Sequence, residues 1–379
     1  MVSRSRAASS SALNAGRDLA RLLGAQIDRD GPISFATFMR AALYYPAHGY
    51  YMRDGEPYVD YFTSISVHPG LFGAMLARHL DDVWAALGEP APFQIVELGS
   101  GDGRLAGQIA QAAPCRAWGA DLRYRGVEIS AARRRVAVAR VPGAEFVASM
   151  RELQPCASAA IISNELFDAL PVLLARRDGR AWVEQLVKTV GEDFRIAERP
   201  AGERIRTYAQ RYAHAVPDGG RLEVREDIEE IYAQVSRLAR RSVITTIDYG
   251  GTATELHGPR LRAGTLLAYR RQQASEDVLR HPGDTDLTAH VNFSELTDVG
   301  LRRGFQAAAL GNQADFLSAL GIGEYLVELQ RDPGATDTRY AAAREAVFQL
   351  VSPTDLGRFR VLVQARDADV QRVRGLPGT

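Results

Sequence analysis

One strand running straight into closely spaced glycines limits the architecture of this chain more than any other feature. Phe93 to Leu98 reads as a buried strand, Gly99-Ser100-Gly101-Asp102-Gly103 follows, and a helical pattern runs from about Arg104 to Ala112. Glycines at alternate positions let the backbone turn tightly and approach a ligand where a Cβ would otherwise stand. Tyr124 to Ile129 is a second strand candidate, followed by the helical run SAARRRVAVARV. Phe146–Val147 and Ala159–Ser163 supply a third and a fourth. Strands alternating with helices at these intervals predict a parallel α/β sheet.

Glu128 stands at the end of the second strand, in YRGVEIS, 25 residues after Gly103. A carboxylate there can accept hydrogen bonds from both hydroxyls of a ribose. Two cofactor classes stay open on these residues. A nicotinamide enzyme more typically shows GxGxxG, whereas Arg104 occupies the sixth position here and the glycines form GxGxG. No GKS or GKT is present, which disfavours a nucleoside-triphosphate loop. An acidic strand end, Glu97, before GxGxG fits a class I S-adenosylmethionine-dependent methyltransferase.

A second polar cluster, Asn164-Glu165-Leu166-Phe167-Asp168-Ala169-Leu170-Pro171, lies directly beyond the fourth strand. In an open α/β sheet that end faces the ligand crevice, so Asn164, Glu165 and Asp168 can anchor an acceptor or shape the donor pocket. Further on, Val172 to Val190 divides at Asp178-Gly179 as a hairpin. Residues 195–216 read as helical, Leu222 to Val224 as a strand and 226–241 as a helix. SVITTIDYGG at 242–251 is β-rich, and a further helix is expected near 293–303. Ahead of the glycines, 71–87 carries Leu71, Phe72, Met75, Leu76 and Leu80 at helical spacing, and YYPAHGYYM at 44–52 reads as an aromatic loop.

Composition removes other classes. The 46 basic and 46 acidic residues balance to a formal charge of zero, which argues against a nucleic-acid partner. Two cysteines, Cys115 and Cys156, suit reduced, buried thiols rather than a disulfide framework or a four-cysteine zinc site. No metal site and no membrane span are expected. Residues 1–17 hold three arginines, five serines and no acid. That suits a flexible tail on a cytoplasmic bacterial protein, the favoured source, or a mitochondrial targeting segment in a eukaryote.

The chain resembles the MidA family, which includes the mitochondrial complex I assembly arginine methyltransferase. The resemblance spans about 25–350 and rests on separated motifs. They include GPISFATFMRAALYYPAHGYY at 31–51, FTS at 62–64, IVELGSGDGRL at 95–105, YRGVEIS at 124–130, NELFDALP at 164–171, IDYG at 247–250, GTLLAYRR at 264–271 and DLTAHVNF at 286–293. It implies a seven-stranded Rossmann-like core with N-terminal helical and internal hairpin and helical additions, and S-adenosylmethionine as donor. The expected organisation is a flexible tail at 1–16, a helical lid region at 17–90 and a core at 91–379 with acceptor-site insertions, especially 172–225. Donor-binding positions carried over are Gly99, Gly101 and Glu128, with Glu97 and Asn164 beside them and Thr63 and Ser64 near the donor. Asp248 and Tyr249 are expected to border the cleft, and His290 lies in the DLTAH motif. For the chemistry, Glu165 or Asp168 orients an amine or guanidine, His290 is the available base, and Tyr249 forms a wall or donates a hydrogen bond.

Departures from the family pattern affect the acceptor side more than the donor side. Ile65-Ser66 stand where relatives carry Pro-Glu, Gln272 where a histidine is common, Asn292 where aspartate is usual, and Asp102 within the glycine turn. They suggest a changed acceptor: O- or N-methylation of a small molecule or modified peptide in specialised metabolism. The alternative is protein arginine N-methylation in respiratory complex assembly, and a further one is a non-catalytic assembly protein. A homodimer is the assembly carried forward.

Overall fold

The computed structural model describes residues 2–53, 63–332, 334 and 336–373, with side chains of 2–15, 307, 308 and 372 left aside. Phe62 of the FTS motif and its neighbours 60–61 lie outside the described residues. The chain forms two compact units, each assembled from three separate segments of sequence. Residues 62–166, 230–249 and 296–379 make the larger sheet unit, and 1–61, 167–229 and 250–295 make the other.

Among the described residues the sheet unit holds seven strands: β1 (Phe93–Leu98), β2 (Leu122–Val127), β3 (Glu145–Val147), β4 (Cys156–Asn164), β5 (Ala239–Asp248), β6 (Gln306–Asn312) and β7 (Arg360–Arg366). Their spatial order is β3-β2-β1-β4-β5-β7-β6. β1 to β5 run parallel, while β7 is antiparallel to both of its neighbours, β5 and β6. The chain leaves β1 towards β2 and returns on the other side of β1 as β4. That reversal opens a crevice at the carboxyl ends of β1 and β4, where open sheets bind ligands.

Apolar side chains on both faces explain the burial. Phe93, Ile95, Ile162, Val243 and Ile247 join one core with Leu71, Phe72, Met75, Leu76 and Leu80 of α1 (Leu71–Ala86) and Leu105 and Ile109 of α2 (Arg104–Ala112). Each such side chain contributes about 1.5–3 kcal/mol on burial. The same stripe, which lies within 17–90, packs into the sheet's own core.

The other unit contains an antiparallel sheet of Ile33–Ser34, Val172–Asp178, Ala181–Val190, Asp193–Pro200 and Arg221–Arg225. The hairpin falls as expected, with Gly179 at φ 59°. Residues 195–200, the start of the segment expected to be helical, instead belong to the strand Asp193–Pro200, which pairs with 183–190. Their charges masked an edge strand, and helix begins only at Glu203, after Pro200 and Gly202. The first helix runs Val2–Asp30, through the segment expected to be a flexible tail. Alanines at 7, 8, 12 and 15 with Leu13 give that stretch helix propensity that its serines and arginines obscure.

The aromatic loop is fastened. Tyr50 is buried in the apolar cluster around Phe35 and Phe38, Tyr44 donates to the Ala169 carbonyl at 3.0 Å, and Tyr51 donates to Asp286 at 2.8 Å. Both cysteines are free, but Cys115 is exposed and Cys156 only partly covered, so neither is the buried thiol expected. Among the described residues no helix is long and apolar enough to cross a membrane, and no cluster of metal-ligating side chains occurs.

Candidate functional site

The glycine turn crowns β1. Gly99, Gly101 and Gly103 have φ of 71°, 55° and 76°, a region costing other residues about 1–2 kcal/mol. Gly99 and Ser100 both donate to the Val127 carbonyl, at 2.9 and 3.0 Å, which ties the turn to the end of β2. Glu128, buried just past β2, closes the arrangement. Its Oε2 accepts from the Gly101 amide at 3.0 Å and its Oε1 from the Ser130 amide at 2.7 Å. A carboxylate offers about four acceptor sites, so two backbone amides leave capacity for ribose hydroxyls.

Other atoms fit a polar ligand at the same place. The Ser100 hydroxyl and the Asn164 carbonyl oxygen are buried without a hydrogen-bond partner among the described residues. Native structures rarely leave such atoms orphaned unless water or a ligand meets them. Ile129, next to Glu128, is 51% exposed at the strand's end, an apolar surface that sequence reasoning passed over. Its signal was its place directly after the acidic residue. Glu97 lies beneath the turn, 3% exposed, and accepts from the Tyr124 hydroxyl at 2.7 Å. Burial chiefly, then the charges of Glu128 and Asp102, push its carboxyl up to about 8 against the lowering effect of that hydrogen bond.

The turn beyond β4 is held under backbone tension. Glu165 sits at φ 53°, fixed by its amide to the Ile247 carbonyl at 2.8 Å and by the next amide, of Leu166, to Asp248 Oδ2 at 3.1 Å. Its Oε1 accepts from the Ser64 amide at 3.1 Å and from Asn164 Nδ2 at 2.9 Å. The Ser64 hydroxyl donates to Gln313 and Thr63 closes a tight turn with Ser66, so both residues of the FTS motif serve internal bonds. Tyr249 is half-buried beneath the Arg358 guanidinium, 4.5 Å above its ring, and edge-on to Phe359.

Asp168 and His290 belong to the other unit, with Phe167 and Ala289. There the Ala289 amide donates to the Asp168 carbonyl at 3.0 Å. Burial raises the Asp168 carboxyl to about 6, opposed by the charge of Arg225. Sequence reasoning grouped Asp168 with Glu165 by adjacency and gave no signal for Arg225.

The four departures occupy structural positions. Ile65 packs against the sheet unit's core, and Ser66, standing where relatives carry the acid, accepts from the Thr63 amide and donates to the Thr63 carbonyl, each at 2.9 Å. Gln272, exposed at φ 64°, forms the hairpin turn between Leu267–Arg270 and Gln273–Ser275. Asn292 Oδ1 caps the helix Phe293–Arg302 by accepting from the Ser294 and Glu295 amides at 3.1 and 3.4 Å, while its Nδ2 donates to Tyr208 at 2.8 Å. Asp102 pairs with Arg104 and Arg140, each at 3.0 Å, so its added charge is met locally.

Comparison with known proteins agrees with this geometry. Residues 75–310 match the family described as "Putative S-adenosyl-L-methionine-dependent methyltransferase". The mitochondrial protein arginine methyltransferase NDUFAF7 homolog of Drosophila melanogaster is 30% identical, over 78% of this chain and 73% of its own. The human NDUFAF7 is 27% identical, over 78% and 72%. A crystal structure of a COG1565 superfamily member from Burkholderia thailandensis, bound to S-adenosyl-homocysteine, superposes with a TM-score of 0.83 at 28% identity, covering 95% of this chain and 94% of that one. With the seven-stranded order, the glycine turn and these matches in agreement, the chain belongs to the MidA, COG1565 and NDUFAF7 family of S-adenosylmethionine-dependent methyltransferases.

Proposed function

We propose that the methyl group goes to a guanidino nitrogen of a protein arginine. One observation carries this reading. The polar residues that argued for a different acceptor serve as a turn-closing hydroxyl (Ser66), a hairpin turn (Gln272) and a helix cap (Asn292). With that objection gone, the arginine acceptor named for the curated relatives is the better supported reading.

S-adenosylmethionine supplies a methyl on a sulfonium, electrophilic without metal assistance. The protein's part is to hold an arginine nitrogen in line, keep out water and receive a proton. An arginine is a monocation before and after methylation, so one proton leaves for each methyl gained. That proton passes to a carboxylate at the acceptor or to water. Glu165, clamped by Ser64 and Asn164, offers a fixed negative group to orient the guanidinium.

The test uses methyl-labelled S-adenosylmethionine and, as acceptor, lysate of cells lacking this protein. Acid hydrolysis of the protein fraction is expected to release labelled methylarginine. Label confined to acid-soluble small molecules, with none in arginine, would overturn the reading.

A further inference from the structure

We infer that Arg225 is a positioning residue, one buried guanidinium that sets the backbone of the Phe167-Asp168 and Ala289-His290 segments together. The inference rests on reading Asp168 and His290 as acceptor-side groups, without depending on which atom is methylated. Arg225 is 2% exposed at the end of the strand Arg221–Arg225. Its Nε donates to the Phe167 carbonyl at 2.7 Å, its Nη1 to the His290 carbonyl at 2.8 Å, and its Nη2 to the Ala289 carbonyl. The Ala289 amide returns a bond to the Asp168 carbonyl at 3.0 Å, so the two segments are joined directly and through the arginine.

The same strand supplies a second anchor. Glu223 stands two residues earlier, hence on the same face. Its Oε1 accepts from the Thr265 and Leu266 amides at 2.8 and 3.3 Å. Thr265 Oγ1 in turn accepts from the His290 amide at 3.0 Å. His290 is thus held at its amide through Thr265 and Glu223, and at its carbonyl by Arg225.

Stability alone gives a poor reason for this arrangement. A buried ion is expensive to desolvate, and an apolar side chain of similar size is often no worse for folding. A planar fork of donors fixes three carbonyls in one geometry, which neither an apolar residue nor a lysine reproduces. Placement of that kind matters for transfer, because a displacement of about 1 Å can cost on the order of 100-fold in rate.

The experiment compares the full chain with Arg225→Lys and with the milder Thr265→Val. Three readouts are taken: S-adenosylhomocysteine affinity, total methyl incorporation from labelled S-adenosylmethionine into the lysate acceptor, and amide exchange at 286–292. Arg225→Lys should keep donor affinity, lose about tenfold or more of its incorporation and exchange faster at Ala289 and His290. Thr265→Val should lose several-fold less, with faster exchange at His290 alone. Wild-type incorporation by either variant would overturn the inference. So would a Thr265→Val loss that tracks only a fall in the folded fraction, as counted by S-adenosylhomocysteine stoichiometry. Label found on small molecules would defeat the arginine reading while leaving this comparison intact.

Discussion

Exchanging Glu128 for glutamine tests the donor site with almost no change of shape. In the native chain each carboxylate oxygen takes one backbone amide, Gly101 at 3.0 Å and Ser130 at 2.7 Å. A glutamine must turn its NH2 towards one of them, so a donor meets a donor and one charge-assisted bond is lost. Hydrogen bonds to charged groups contribute about 1.5–3 kcal/mol each. Gly101 belongs to the glycine turn, and Ser130 caps α3 (Ala131–Arg140), so either loss disturbs the same corner. A ribose hydroxyl held by the carboxylate likewise loses a charge-assisted bond, of about 1.5–3 kcal/mol, and at about 1.4 kcal/mol per decade S-adenosylhomocysteine should bind roughly 10- to 150-fold more weakly. Isothermal titration calorimetry measures this, with thermal unfolding alongside to confirm that the variant is folded. An affinity within about twofold of wild type would refute both the ribose role of Glu128 and its bracing of the turn.

Glu97→Gln should flatten the pH dependence of stability. The native carboxyl keeps its proton to about pH 8, while the unfolded chain ionises from 4.5, so wild-type stability falls across that window by roughly 4 kcal/mol. Urea unfolding at both ends should show the variant gaining relative to wild type as pH rises; parallel curves would contradict the buried-acid account. Gly103→Ala places a Cβ 2.9 Å from Ala137 Cβ and 3.0 Å from its Cα, at φ 76°, with no flexible atom to give way. Left-handed strain and overpacking together predict a loss of roughly 2–5 kcal/mol, and a denaturation midpoint near wild type would exclude it. Asn292→Asp restores the family's usual residue at a helix cap. Unchanged label incorporation is expected, and a shift towards a new class of acceptor would return Asn292 to the acceptor site.

The sheet was readable where local chemistry and burial agree. Phe93–Leu98 and Arg104–Ala112 matched their expected bounds because glycines and apolar runs punctuate both ends. The edge strand Asp193–Pro200 was hidden, since its identity comes from pairing with distant residues rather than from its own charged sequence. In the site, Glu128 and the glycines carry a motif. Arg225 carries none, because Glu223 and Arg225 alternate with Leu222 and Val224 while both faces of that strand are buried. A period-two pattern assigns such charges to solvent. The internal roles of Ile65, Gln272 and Asn292 were equally invisible, as a cap or a turn is defined by the backbone amides around it.

The antiparallel β7 has a consequence for synthesis. It lies between β5 and β6, yet follows both in the chain. From Asp248, at the end of β5, to Arg360, at the start of β7, is 360 − 248 = 112 residues. At about 5–20 residues per second, a ribosome leaves the edge of β5 unpaired for roughly 6–22 s. An open strand edge recruits other strands, so the nascent sheet is most vulnerable to aggregation in that interval. Slow codons between 249 and 359 would lengthen the exposure, and a chaperone that shields β5 would matter most there.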